Sequence, residues 1–279
     1  MSSDASLSPR RTGALTGHGS SDTVRQGVVA ASAVLGIVGA TIGSGAFGGT
    51  PIASAAGGAL SADSTLVAPA GPAFAVWSVI YTGLAGLAVW QALPKHREDP
   101  RQRSTGWWTA ASLVLNAVWI GTVQLGSVWL SVVVISVLLL VLVKTFGALL
   151  ADRPRTRVEA VLVDGSTGLY LGWVSIATVA NVAAALRSSG LTSGETGWAV
   201  AVLGVATGVG VFTAVRSRGR LAYGAGLAWG LGWVAAARGG AEQNTSTTVA
   251  VSAGIAAAVV AGTTVAARLL SRGRRLRRG

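Results

Sequence analysis

The sequence predicts an all-α polytopic membrane protein, a helical bundle of about eight transmembrane helices. Three observations predict it. Of the 279 residues, 51% are hydrophobic and only 11% charged, with a mean hydropathy of +0.58, whereas a soluble domain carries roughly 25% charged residues. Eight stretches approach the roughly 20 mainly apolar residues that cross a hydrocarbon core. Finally, the basic residues fall in alternate loops.

The expected spans are 26–46, 72–93, 106–124, 127–149, 160–186, 196–215, 219–237 and 247–269. The fourth is the clearest: Val128 to Val143 holds no charge and only two serines. The first and eighth are the weakest, being rich in Gly, Ala, Ser and Thr. Gly39-xxx-Gly43, Gly204-xxx-Gly208 and Gly226-xxx-Gly230 place small residues one turn apart, which lets helix backbones approach closely in lipid. Among 39 glycines such matches also arise by chance, and we read them as packing surfaces. A competing reading makes the first span a signal peptide cleaved after Ala53-Ser-Ala-Ala56, leaving seven spans in the same orientation. The roughly 25 polar residues before it are long for a signal n-region.

Twenty of the 22 Lys and Arg residues lie on one predicted face, and the other carries only Arg187 and Arg238. The loop over 47–71 has no Lys or Arg. The positive-inside rule then places both termini in the cytoplasm, which requires an even number of spans. The net charge of +12 therefore reads as a topology signal, and no folded soluble domain presents it to nucleic acid. Residues 1–25 are expected to form a disordered cytoplasmic tail, and 271–279 a basic one whose Arg272–Arg278 cluster meets anionic headgroups.

Zero cysteines and only two histidines, His18 and His96, exclude thiolate chemistry and histidine or cysteine metal clusters. No carboxylate lies mid-span, which argues against proton-coupled transport. Asp164 and Glu159 sit at the start of the fifth span, where carboxylates suit a helix N-terminus. No Walker or GxSxG motif is present, and Gly43-Ser-Gly-Ala-Phe-Gly48 lacks the βαβ context of a dinucleotide loop. No catalytic residue and no metal ligand is expected, and no cofactor is required. The protein is not expected to be an enzyme.

Ten of the 17 aromatics are tryptophan. Trp90, Trp107, Trp108, Trp129 and Trp198 lie near span ends, as in an interfacial belt. Trp77, Trp119, Trp173, Trp229 and Trp233 lie further inside, where they pack or line a flat apolar pocket. Asn116 and Asn181 are mid-span amides that must face the bundle, either bonding between helices or shaping a ligand site.

Three segments stand in order on spans two, three and five: Pro69-Ala-Gly-Pro72-Ala-Phe74-Ala-Val-Trp77-Ser-Val-Ile-Tyr81, Leu115-Asn116-Ala-Val-Trp119, and Tyr170-Leu-Gly-Trp173-Val-Ser-Ile-Ala177-Thr-Val-Ala-Asn181. This series resembles the TspO/translocator protein family, the tryptophan-rich sensory proteins, over residues 26–187. The resemblance implies a five-helix core with an apolar pocket under the loop joining helices 1 and 2, followed by three additional helices over 188–270. It implies a tetrapyrrole ligand, porphyrin or haem-like, or a sterol-like one, held for sensing or transport. By motif, Trp77, Tyr81, Asn116, Trp119, Trp173 and Asn181 match family positions around or beside that pocket. Two departures stand out. Leu169 replaces the family's proline, and Gly71 and Ala73 stand where the family has a tryptophan implicated in porphyrin breakdown. That absence counts against degradation of the ligand. A small-solute transporter of unrelated specificity is the alternative, and an enzyme acting on a lipid or tetrapyrrole is the third reading. Expected partners are the lipid bilayer, the apolar ligand and a second copy in a homodimer. The expected setting is a bacterial plasma membrane.

Overall fold

A computed structural model of the chain describes residues 16–43 and 50–276. Among the described residues there are eight long helices and no strand. They are α1 (Thr16–Gly43), α2 (Val76–Ala92), α3 (Pro100–Gln124), α4 (Val128–Ala151), α5 (Arg157–Ser188), α6 (Glu195–Arg216), α7 (Leu221–Ala236) and α8 (Thr247–Leu276). Together they form a polytopic helical bundle. Six are long and apolar enough to cross a membrane, α2 together with the helical turn Gly71–Ala75 that leads into it; α3 and α7 are not among them. Helix α7 has only 16 residues, about 24 Å at 1.5 Å per residue. Helix α3 begins with Arg101 and Arg103 and carries Asn116 and Gln124, which lower its hydropathy.

Local chemistry sets the helix ends. At α3, Asp99 caps the first turn by accepting from Arg101 N at 2.8 Å, with Pro100 at the position where a missing N–H costs nothing. At α5, the Thr156 hydroxyl accepts from Glu159 N while Glu159 reaches back to Arg155 N, a reciprocal cap. Helix α5 then widens into a π turn over Ala160–Gly165 before continuing as α-helix.

The expectation of a disordered segment through residue 25 is corrected over 16–25, because α1 begins at Thr16. Arg25 and Asp22 there are buried and paired with one another, and Asp22 also pairs with Arg103. Tertiary partners therefore order polar residues that a compositional reading releases. Residues 1–15 lie outside the described residues. Likewise 271–276 are not a tail but the last turns of α8; Arg277, Arg278 and most of the Gly43–Gly48 run also lie outside the described residues.

Helices α1 and α3 pack side by side, α4 joins α3 to α5, and α5 packs on α7. Helix α6 packs on α8, which in turn packs on α7. The small-residue spacings separate into two groups. Gly39 and Gly43 face Ala117 and Ile120 of α3, and Gly226 and Gly230 face α5. Gly204 and Gly208 meet nothing within 4 Å.

At one end of the bundle, which we call the basic end, α3, α5 and α7 are tied by buried charge. Arg101 pairs with Glu159 and makes two 3.0 Å bonds to Asp164, which also pairs with Arg220. Arg101, Glu159 and Asp164 are all buried. The two carboxylates thus do more than suit a helix N-terminus: they neutralise cations that would otherwise be stranded in the interior.

Candidate functional site

At the opposite end, residues 50–75 form a long loop that lies over the bundle. The later helices hold it down. Gly71 N donates to Glu242 Oε1 at 3.0 Å, Leu66 N to Glu195 Oε1 at 3.1 Å and Ala70 N to the Trp233 carbonyl at 3.2 Å. Asp63 accepts from Gln243 N and Asn244 N, and Arg238 donates to the Ala62 carbonyl. Trp229 Nε1 donates to the Ala73 carbonyl at 2.9 Å. Arg238 is 1% exposed, which buries one of the two basic residues of this end beneath the loop.

Below the loop lies a small cavity of about 40 Å³. Ile52, Leu60 and Ser64 close it from above, and Phe74, Trp77, Trp119, Trp173 and Asn181 wall it. The ring geometry is edge-on: Trp77 meets Trp173 at 6.2 Å and 85°, and Phe74 meets Trp173 at 5.6 Å and 79°. Such T-shaped pairs set the edge of one ring against the face of the next and fix the rings in place. Both the oxygen and the nitrogen of the Asn181 amide are engaged with its neighbours. Its Oδ1 accepts from Trp119 Nε1 at 2.7 Å, and its Nδ2 donates to Ser131 Oγ of α4 at 2.9 Å.

Four of the six residues singled out from the sequence therefore line the cavity: Trp77, Trp119, Trp173 and Asn181. The other two stand behind them. Tyr81 stacks on Trp77 at 5.3 Å, and Asn116 Nδ2 donates to the Tyr81 hydroxyl at 2.6 Å. Both amides thus bond between helices, and Asn181 also faces the cavity. Trp173 is 1% exposed, and its Nε1–H has no hydrogen-bond partner within the protein. A buried indole donor without a partner, on a residue that lines a cavity, is a candidate point of attachment for an acceptor on a ligand.

The matching family model, described as TSPO-like protein, covers residues 30–266. The chain belongs to the TSPO-like family. The match takes in α6, α7 and most of α8 as well as the first five helices, so it extends well beyond the 26–187 that the motif series marks. No curated protein and no solved structure matches the chain. Family and membrane-spanning helices together make it an integral membrane protein.

Sequence reasoning missed several of these residues. Ser131, the α4 partner of Asn181, is an ordinary serine in the most apolar span. The clasp residues Asp63, Glu195, Glu242 and Arg238 are spread from position 63 to position 242, and no local spacing joins them. A signal did exist: they are four of the few charges at the less basic end. Trp229 and Trp233 hold the loop rather than line the cavity. Trp90, expected in the interfacial belt, is buried and stacked on His96 at 3.7 Å, because the turn after α2 folds back over it. Trp107, Trp108, Trp129 and Trp198 are exposed, as a belt requires.

Proposed function

We propose that this membrane protein binds a flat apolar ligand, tetrapyrrole or sterol-like, beneath the loop over residues 50–75, for sensing or transport. The observation that carries the reading is the open Trp173 Nε1–H, 1% exposed, at the wall of a cavity framed by three tryptophans. Its N–H would take an acceptor at the ligand's edge while the rings of Trp77 and Trp119 cover apolar surface.

The cavity's 40 Å³ is far below the roughly 300–1,000 Å³ of small-molecule sites. Binding therefore requires the loop to lift, and the clasp from α6–α8 sets how readily it does so. In this reading the later helices control access to the pocket built by the first five. The basic end faces the cytoplasm of a bacterial cell, and the clasped loop faces outward. The buried Arg101, Glu159 and Asp164, with the half-buried Arg220, close the cytoplasmic end, which favours a binding pocket over a continuous path for a small solute.

Titration of detergent-solubilised protein with protoporphyrin IX, followed by tryptophan quenching, tests the proposal. Saturable quenching that weakens in Trp173→Phe is expected. Quenching that never saturates, or that is unchanged in Trp173→Phe, overturns it.

A further inference from the structure

Helices α5 and α6 follow one another across a short turn, yet α6 packs on α8 and barely touches α5. The two splay apart at the clasped end and leave a wedge of about 460 Å³. Val179, Val182 and Leu186 of α5 line one side, Trp198 and Val202 of α6 the other. Along α5 these positions follow a helical spacing of three and four residues, on a different face from Trp173, Ala177 and Ala180, which line the smaller cavity. The wedge is thus a second space, separated from the first by α5 itself.

Its roof is formed by Thr65, Leu66 and Val67 of the loop, all buried. Thr65 is 3% exposed, lines the wedge, and its Oγ1 has no hydrogen-bond partner. A buried hydroxyl without a partner at the end of an apolar space points to a polar group supplied from outside the chain. At the rim, Glu195 accepts from Arg187 at 2.8 Å and from Leu66 N. Its carboxylate leaves no advantage to a second anion there. The mouth is flanked by the exposed side chains of Leu186, Leu191 and Trp198, so the wedge opens sideways towards lipid.

We propose that this wedge is a second ligand site, taking a single-tailed neutral lipid with a hydroxyl head from the bilayer. The tail lies between α5 and α6, and the head bonds to Thr65 Oγ1. The volume holds roughly fifteen groups of water or methylene size at about 30 Å³ each, which suits one long chain and not two. The interior tryptophan pocket plays no part in this assignment, and either site can fail without the other.

Photolabelling of the full chain in saturated phosphatidylcholine vesicles tests it, with hexadecanol carrying a mid-chain diazirine as probe. The expected label saturates, is displaced by unlabelled hexadecanol, and maps to residues 178–187 and 198–202. Thr65→Val, which keeps the side chain's shape, should weaken apparent affinity roughly fivefold, the size of one hydrogen bond. Val182→Trp should fill the wedge and abolish saturable labelling. A phosphatidylcholine bearing the same diazirine on one tail serves as the second arm. Labelling that never saturates and is shared with the outward-facing Val205 and Phe212 overturns the proposal. So does equal labelling of the wedge by the phospholipid probe, or unchanged affinity in Thr65→Val. The mapping on the unmodified chain stands whether or not a variant folds.

Discussion

Gly172 sits one residue before Trp173, where α5 crosses α7. A methyl group added there would lie 2.8 Å from Leu227 N, 3.1 Å from Gly226 Cα and closer still to the Tyr223 carbonyl oxygen. These are backbone atoms of α7, so no side-chain rotation relieves the clash. The helices must separate by roughly 1 Å to restore ordinary van der Waals distance. Overpacking of this kind costs about 1–3 kcal/mol, and an unyielding backbone places Gly172→Ala at the upper end. Against this, alanine is preferred over glycine within a helix by about 1 kcal/mol. The net loss is about 2 kcal/mol, and Trp173 is carried away from Trp77 with its helix. Equilibrium unfolding in mixed micelles measures the first effect, and the protoporphyrin IX titration the second. Gly204→Ala is the control. Nothing lies within 4 Å of that position, so it should be neutral or stabilising by up to about 1 kcal/mol. Equal stability of the two variants would refute the close α5–α7 crossing.

Three further outcomes follow from the same structure. Arg101→Met strands Glu159 in the interior and leaves Asp164 with Arg220 alone, so it should cost about 3 kcal/mol; adding Glu159→Gln should recover a large part in a double-mutant cycle, and a loss below about 1 kcal/mol would remove the network from the account. Loosening the clasp with Asp63→Ala and Glu242→Ala should raise apparent affinity for protoporphyrin IX several-fold by populating the lifted loop, whereas weaker binding would show that the clasp shapes the site rather than guards it. Burial, with Lys95 nearby, lowers the His96 pKa from its ordinary 6.5. The unfolded chain then takes up a proton that the folded one refuses, so this contribution is complete above pH 6.5 and is lost as pH falls through the folded value. His96→Gln should flatten the acid side of the stability profile below pH 6.5.

Much of the fold is written in composition and spacing. Apolar runs give eight helices because a lipid-facing helix must be apolar along its length, and alternate basic loops group the ends because charge does not cross the bilayer. The tryptophan and asparagine positions of the site are legible for a related reason: polar or amphipathic side chains in an apolar span must face inward. What is not legible is long-range pairing. Asp22 and Arg25 look like tail residues until Arg97 and Arg103 fold against them, since Arg25 also donates to the Arg97 carbonyl. The clasp is invisible for the same reason, because Asp63 and Asn244 meet only through the tertiary fold. The fate of each glycine pair likewise depends on a neighbour: Gly226 and Gly204 have similar local sequence, yet only the first meets another backbone.

A ligand that occupies the space beneath the clasped loop must lift that loop to do so. Amide hydrogen exchange with and without saturating protoporphyrin IX tests it most directly. Faster exchange is expected at Leu66, Ala70 and Gly71, whose N–H groups are held by Glu195, Trp233 and Glu242 in the structure. Saturable binding that leaves these three amides unchanged would contradict it.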